Sequence, residues 1–193
     1  SINGTYVGSP TLNQDGPIAG GKAATLSGSN QYVSVADNVA IRTWPSGITV
    51  ELWAKSNSAN WSNSGFLASK RNSFVFHPNA GGKSVNFYVY TTNWFSTAFT
   101  IAGNITDWHH WVGTFDGTVI KLYVDGQLVS STNHTGTIAA DSGLMAFGWD
   151  DGQAGRYFDG SIAEVSVYPT ALSASKILQH YNEGVTNCNL PGY

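Results

Sequence analysis

Apolar and polar residues alternate along nearly every segment of the chain, in stretches of five to nine positions that end at Gly, Asn, Asp or Ser. In ITVELWA at 48–54, every second residue is apolar. In VNFYVY at 85–90, Tyr88 and Tyr90 lie opposite the apolar face. Because side chains of an extended strand point alternately to its two faces, this pattern predicts half-buried β-strands. The chain is therefore expected to be all-β.

Turn residues separate these strands, and Asp116-Gly117 and Asp125-Gly126 are typical of hairpin turns. Further strands are predicted at about 23–28, 31–36, 65–70, 73–77, 96–102, 108–115, 120–124, 127–131, 144–149 and 157–168. One helix is predicted after Ser173, with about two or three turns and an end at Gly184. Many short strands with one short C-terminal helix predict a two-sheet antiparallel β-sandwich of the jelly-roll type.

The composition limits the classes of partner. Charged residues make up 11% of the chain, and the formal net charge is −3. Without a run of Lys and Arg the chain lacks a surface for a phosphate backbone, so nucleic acid is not an expected partner. No apolar run approaches the ~18 residues of a membrane span. Low charge with many Gly, Ser, Thr and Asn residues is typical of a secreted or extracellular β protein.

One domain is expected to cover residues 1–193, with a core from about 5 to 184 and a tail at 185–193. The single cysteine, Cys188, lies in that tail, so no internal disulfide is expected and the role of the thiol stays open. The start at Ser1 suggests a processed chain or a module cut from a larger protein. The sequence does not indicate an oligomeric state.

Five stretches agree in order and spacing with a known family: LSGSNQYV at 26–33, WHHWVGTFDG at 108–117, KLYVDG at 121–126, FDGSIAEV at 158–165 and YPTALS at 168–173. Together they resemble the laminin G-like domains of the concanavalin A-like lectin and glucanase superfamily. The resemblance implies a concanavalin A-like sandwich. It leaves the function open, because this superfamily contains lectins, carbohydrate-binding modules, adhesive domains and glycosidases.

The same resemblance implies a structural calcium ion, which is usually bound by carboxylate and main-chain oxygens. Gln31 and Ala163 stand at positions where many relatives carry Asp, which removes two potential ligands. The remaining candidate metal ligands are Asp15, Asp159 and Glu164, although Glu164 can equally pair with a Lys or Arg. Calcium is the one cofactor that the resemblance suggests.

The acidic residues are poorly spaced for bond cleavage. A retaining glycosidase needs two carboxylates about 5 Å apart, which on a strand predicts acidic residues at alternating positions. Glu51 has no acidic neighbour close to it in sequence. Asp150 and Asp151 are adjacent and point to opposite faces on a regular strand, although a loop can bring them together. The histidines show no zinc-binding spacing, so the chain is not expected to be an enzyme.

Tryptophans in polar, turn-like segments give the strongest indication of a binding site. A pyranose stacks its CH face on an aromatic ring, while amides and carboxylates bond its hydroxyls. Large rings exposed among small polar residues indicate contact with a ligand. The predicted carbohydrate contacts are Trp61, Trp94, Trp149, Arg71, Asn93, Asp150, Asp151 and Arg156, although each charged residue taken singly can equally be a solvated surface group.

The preferred interpretation is a non-catalytic carbohydrate-binding, lectin-like module of a larger secreted enzyme or surface protein. Because Arg can bind a uronate or sulfate bidentately, an acidic polysaccharide is one candidate ligand. Two alternatives stay open. One is a structural or adhesive protein-interaction domain of the tail-fibre or cell-surface type, and the other is a glycoside hydrolase or polysaccharide lyase of the same fold.

Overall fold

The computed structural model describes residues 2–62 and 65–186, which form two antiparallel seven-stranded sheets and a C-terminal helix. Sheet A contains, in spatial order, β1 (Gly4–Val7), β4 (Tyr32–Val35), β13 (Met145–Phe147), β6 (Ala68–Lys70), β7 (Phe74–Pro78), β8 (Ser84–Tyr90) and β9 (Trp94–Thr100). Sheet B contains, in spatial order, β12 (Gln127–Asn133), β11 (Val119–Val124), β10 (His109–Phe115), β5 (Ile48–Ser56), β14 (Asp159–Tyr168), β3 (Lys22–Ser27) and β2 (Thr11–Asp15). The predicted all-β sandwich is confirmed.

The core follows the predicted alternation. Ile48, Val50 and Leu52 of β5 are fully buried and belong to one apolar cluster with Phe87 and Val89 of β8. Strands β1 and β2 were not predicted, because they are almost wholly exposed and their sequences carry little apolar periodicity. Burial of one face therefore both specifies a strand and makes it recognisable in the sequence.

Sheet A keeps the alternation on its outer face. In β8, Phe87 and Val89 are buried, whereas Tyr88 and Tyr90 are partly exposed. Tyr90 pairs directly with Trp94 of β9, so both rings point away from the core. The register thus places aromatic side chains on the solvent side of the sheet.

The helix α1 (Ala174–Thr186) begins as predicted. The hydroxyl of Ser173 accepts a hydrogen bond from the backbone N–H of Lys176 at 3.2 Å, which confirms the N-terminal cap. The expected end at Gly184 is wrong, because the helix continues to Thr186. Gly184 is instead a contact residue, since a Cβ there would lie 2.7 Å from Cζ2 of Trp53.

The helix covers the outer face of sheet B. Ile177 is fully buried against Val112 and Tyr123. Tyr181 stacks on Trp53 with ring centroids 5.8 Å apart. Among the described residues α1 is the only α-helix, and it packs on sheet B.

Within residues 2–62 and 65–186, no helix is long and apolar enough to cross a membrane. Cys188 and most of the predicted tail lie outside the described residues. The domain boundaries therefore stay a prediction.

Candidate functional site

Four aromatic rings make successive contacts across the outer face of sheet A, and we call them the aromatic row. Ring centroids are 6.2 Å apart between Trp94 and Tyr88, 5.3 Å between Tyr88 and His77, and 5.3 Å between His77 and Phe66. All three distances are typical of aromatic contacts. His77 and Tyr88 are almost parallel, at 8°, so these two rings stack on each other at the centre of the row.

Two guanidinium groups lie over rings of the aromatic row. Cζ of Arg71 is 5.8 Å from the ring centroid of Trp94, and Cζ of Arg156 is 4.4 Å from that of Phe66. Both distances are within the range of cation–π attraction. Both arginines are partly exposed. The row therefore carries a positive charge near each of its ends.

A buried carboxylate holds the first of these arginines. Nη1 of Arg71 donates to Oδ1 of Asp150 at 3.3 Å, and the backbone N–H of Gly152 donates to the same oxygen at 2.9 Å. The Asp150 side chain has no exposed surface, and no described residue hydrogen-bonds its Oδ2. A Cβ at position 152 would lie only 2.5 Å from Nε of Arg71, so glycine leaves the space that the arginine occupies.

The loop after β13 brings further rings beside Asp150. Trp149 contacts Tyr32 with centroids 4.6 Å apart and stacks on Tyr157 at 5.9 Å and 10°. The hydroxyl of Ser69 in β6 donates to the carbonyl of Trp149 at 2.9 Å and anchors the loop on sheet A. Trp149 and Asp150 are thus presented together by one anchored segment.

The charges of the site act on the centre of the aromatic row. Burial is the main cause that lowers the pKa of His77, and the positive charges of Arg156 and Arg71 lower it further. The imidazole is therefore neutral near pH 7 and contributes a flat ring rather than a charge. Partial burial, followed by the neighbouring carboxylate of Asp150, raises the pKa of Asp151.

The structure brings together five of the eight predicted contacts: Arg71, Trp94, Trp149, Asp150 and Arg156. Asn93 is exposed in the turn before Trp94, and Asp151 is exposed beside Asp150. The sequence reasoning did not select His77, Phe66, Tyr32, Tyr157 or Tyr88 as site residues. Only Tyr88 carried a usable signal, because the alternation of β8 already placed it opposite the apolar face.

The prediction that Trp61 contacts a ligand is wrong. Its side chain is only 2% exposed and belongs to the core. The ring packs against Trp111 and Phe158, with centroids 6.2 and 5.9 Å away. The polar residues around Trp61 lie at the surface, but the indole itself turns inward.

The predicted calcium ligands do not converge. Asp15 pairs with Lys22 at one end of β3, whereas Asp159 pairs with Ser27 at the other end. With a rise of about 3.3 Å per residue, these ends lie about 16 Å apart, too far to share one ion. Asp15 is ion-paired with Lys22 at 3.1 Å, and Asp159 accepts a hydrogen bond from Asn57 at 2.7 Å.

Glu164, the third predicted ligand, is exposed and lies in a bulge of β14. Nowhere in the described ranges do three His, Cys, Asp or Glu side chains form a group that could hold a metal ion. Asp15, Asp159 and Glu164 therefore do not fit a calcium site.

The three glutamates of the chain line a polar pocket of about 290 Å³ between sheet B and α1, a convergence that their sequence spacing conceals. The carboxylate of Glu51, however, is already hydrogen-bonded by two histidines. It accepts hydrogen bonds from Nε2 of His110 at 2.8 Å and from Nδ1 of His180 at 3.0 Å. These bonds join β5, β10 and α1, so Glu51 serves to hold the helix on the sheet.

A cleft of about 670 Å³ opens between the two sheets beside β1 and β2. Most of its wall is apolar, with Leu26, Val33 and Ile162 among the lining residues. Three polar residues, Asn13, Lys22 and Glu164, also line this cleft. The outer face of sheet A is the candidate site because it combines a row of contacting rings with two arginines.

Several solved structures share this fold. The binding domain of Paraclostridial Mosquitocidal Protein 1 is 15% identical with a TM-score of 0.77, and the match covers 94% of this chain and 47% of that chain. The botulinum neurotoxin serotype C1 binding domain is 16% identical with a TM-score of 0.73, over 95% of this chain and 47% of that chain. The binding domain of botulinum neurotoxin DC in complex with SialylT is 14% identical, with a TM-score of 0.73, over 95% and 46%.

This chain thus spans less than half the length of these structures, and at such identity the likeness concerns the fold. A comparison with curated proteins gives no significant match. A laminin G-like family model, described as the concanavalin A-like lectin/glucanases superfamily, matches residues 26–178. The match spans most of the chain and includes all five of the stretches noted in its sequence. The chain therefore belongs to the concanavalin A-like lectin/glucanases superfamily.

Proposed function

We propose that the chain binds carbohydrate at the outer face of sheet A and catalyses no reaction there. The observation that carries this proposal is the aromatic row beside Arg71, Asp150 and Trp149, in which Trp94, Tyr88 and His77 are partly exposed and Phe66 is buried. The partly exposed rings supply the stacking surface for a pyranose, and the guanidinium groups of Arg71 and Arg156 supply hydrogen-bond donors to its substituents.

The support of the row is rigid. Tyr88 is flanked in β8 by the fully buried Phe87 and Val89, and Trp94 begins β9 directly opposite Tyr90. Rings fixed by strands lose little freedom when a ligand binds, which favours affinity from a small contact area. A few stacked sugars correspond to millimolar to micromolar binding, about 4 to 8 kcal/mol.

The non-catalytic role rests on the state of Asp150. Its carboxylate is fully buried and ion-paired with Arg71. A general acid or nucleophile must reach the scissile bond, and the paired glycosidase mechanism needs a second carboxylate facing the first across it. Asp151 is exposed, but the neighbouring carboxylate of Asp150 is not accessible as its partner. Asp150 instead orients Arg71, which makes it a positioning residue.

The wider setting is also a proposal. We infer a secreted module of a larger enzyme or surface protein. The composition is typical of secreted β proteins, and the chain covers less than half of the similar structures described above. A further similar structure is the binding domain of botulinum neurotoxin DC in complex with rat synaptotagmin II, and one of those described above is a binding domain in complex with SialylT. Both support a binding role for the fold.

Affinity electrophoresis in gels containing soluble β-glucan, xylan, polygalacturonate or carrageenan tests the proposal. At least one polysaccharide is expected to retard the protein, and Trp94→Ala is expected to abolish the retardation. Trp108→Ala is the matched control, because this partly exposed indole lies near Lys55 of sheet B, away from the aromatic row.

Unretarded migration in every gel would favour the adhesive, protein-binding alternative. Loss of retardation in Trp108→Ala but not in Trp94→Ala would move the site to sheet B. New reducing ends after incubation with any of these polysaccharides would contradict the non-catalytic role.

A further inference from the structure

We propose that the glycan bound at this face carries an anionic substituent, a carboxylate or a sulfate, that Arg71 and Arg156 contact. This inference rests on the proposed function and specifies the class of its ligand. It identifies the two arginines as the residues that determine specificity.

The distribution of arginine is the first observation. The chain has three arginines, and two of them lie over rings of the aromatic row. The protein as a whole has a formal net charge of −3, so this local concentration of positive charge runs against its overall balance. Each guanidinium group lies over a ring that contacts the central pair of the row, Tyr88 and His77.

The local charge balance is the second observation. The charges that act on His77, at the centre of the row, are two positive groups, Arg156 and Arg71, and one negative group, Asp150. Asp151 acts on Arg71 as well as on the buried ammonium of Lys70. The positive charges that act on the centre of the row are therefore Arg156 and Arg71, of which Arg71 is partly neutralised by two carboxylates.

The geometry of Arg71 is the third observation. Asp150 accepts one of the five N–H donors of its guanidinium, through Nη1. The Arg71 side chain is 31% exposed, whereas the Asp150 side chain is fully covered. A carboxylate buried beneath an arginine fixes its planar fork without occupying the solvent side. That fork matches a carboxylate or a sulfate better than a hydroxyl.

Arg156 adds a partly desolvated cation. Burial is the main cause that lowers the pKa of its guanidinium, which means that its charge has lost part of its hydration. A cation in that condition gains more from an anion than from a neutral hydroxyl, because charge-assisted hydrogen bonds are roughly twice as strong as neutral ones.

Isothermal titration with matched probes tests the inference. Polygalacturonate oligosaccharides supply the carboxylate, their methyl-esterified forms supply the same backbone without charge, and carrageenan and agarose oligosaccharides form the corresponding sulfated and neutral pair. Binding is expected to be about tenfold to a hundredfold tighter for the charged member of at least one pair. The pair that shows the difference identifies the anion.

Arg156→Gln is expected to remove most of this preference. Lys176→Gln is the control, because it removes the same charge from the exposed surface of α1. Since Arg71→Gln leaves Asp150 buried without its partner, Arg71→Lys is the second variant. It keeps the charge, loses the planar fork, and is expected to weaken binding of the charged probe selectively.

Equal affinity for the charged and neutral members of both pairs would overturn this inference. If Trp94→Ala then abolished binding of both members, the proposed carbohydrate-binding function would still stand. An unchanged preference in both Arg156→Gln and Arg71→Lys would also overturn the inference. If none of the four probes bound, this inference would be contradicted. If the protein also migrated without retardation in every gel, the proposed function would be contradicted as well.

Discussion

Arg71 and Asp150, which are 79 positions apart in sequence, form an ion pair of 3.3 Å beside the aromatic row. Asp150 is buried and Arg71 is partly exposed, so the pair has one structural and one solvent-facing member. Gly152 packs against Arg71, and the arginine side chain has space there only because Gly152 lacks a Cβ. This three-residue arrangement positions the guanidinium over Trp94.

Gly152→Ala is expected to displace Arg71, because the new Cβ would lie 2.5 Å from Nε. The long arginine side chain can move, so the free energy of unfolding should change by less than about 1 kcal/mol. Affinity for the charged probe should fall several-fold. Gly82→Ala is the matched control, since a Cβ at position 82 meets no atom within 4 Å. Equal affinities in the two variants, measured by titration calorimetry, would show that Arg71 does not bind the ligand.

Trp61→Ala and Trp94→Ala are expected to separate stability from binding. Removing the buried indole of Trp61 should lower the free energy of unfolding by about 3 to 5 kcal/mol, because it leaves a cavity in the core. Trp94 is partly exposed, so its removal should cost much less stability but abolish glycan binding. Urea denaturation and affinity electrophoresis measure the two effects. A larger loss of stability in Trp94→Ala than in Trp61→Ala would contradict these assignments.

Glu51 is expected to make the fold sensitive to acid. Burial alone would raise the pKa of its carboxyl, but hydrogen bonds and charges from His110 and His180 outweigh burial and lower that pKa. A group with a lower pKa in the folded state stabilises the fold fully above its unfolded pKa of about 4.3. That contribution is lost as the pH falls through the folded pKa.

Glu51→Gln should therefore be less stable near neutral pH and lose less stability on acidification than the unsubstituted protein. Denaturant unfolding between about pH 6 and pH 3 measures the difference. Glu183→Gln serves as the control, because Glu183 is exposed and accepts a hydrogen bond from Gln179 on the same helix. Parallel acid curves for Glu51→Gln and the unsubstituted protein would refute this role.

Gly184→Ala is expected to loosen α1 from sheet B. Alanine favours a helix over glycine by about 1 kcal/mol. The added Cβ, however, would lie 2.7 Å from Cζ2 of Trp53, and overpacking of this kind costs about 1 to 3 kcal/mol. The net result should be a lower melting temperature. Asn182→Ala is the control at an exposed position of the same helix, and it should leave the melting temperature unchanged or raise it. A higher melting temperature in Gly184→Ala would contradict the contact with Trp53.

The sequence predicted the fold because burial leaves a periodic trace. The alternation in β5 and β8 identified both the strands and the solvent-facing side of Tyr88. Strands β1 and β2 leave no such trace, since nearly all their residues are exposed. The end of α1 was misplaced at Gly184 because a glycine that fits beneath an aromatic ring looks, in sequence, like a helix terminator.

The site was predicted only in part, for a different physical reason. Trp61 and Trp94 have similarly polar neighbours in sequence, yet one ring is buried and the other lies on the sheet surface. Local composition reports the exposure of the neighbours and not the direction of the ring. The contacts of Arg71 with Asp150 and of Arg156 with Phe66 depend on how distant segments meet, which no local pattern encodes.

The most direct test of the central claim uses the seven tryptophans as internal reporters. Assigned indole signals in a ¹⁵N-resolved NMR spectrum are followed during titration with polygalacturonate and carrageenan oligosaccharides. If the outer face of sheet A binds the glycan, the signals of Trp94 and Trp149 shift with a common saturation curve, while those of Trp61 and Trp111 in the core stay in place. Shifts confined to Trp108 on sheet B, or saturable binding without any shift of Trp94, would contradict the account.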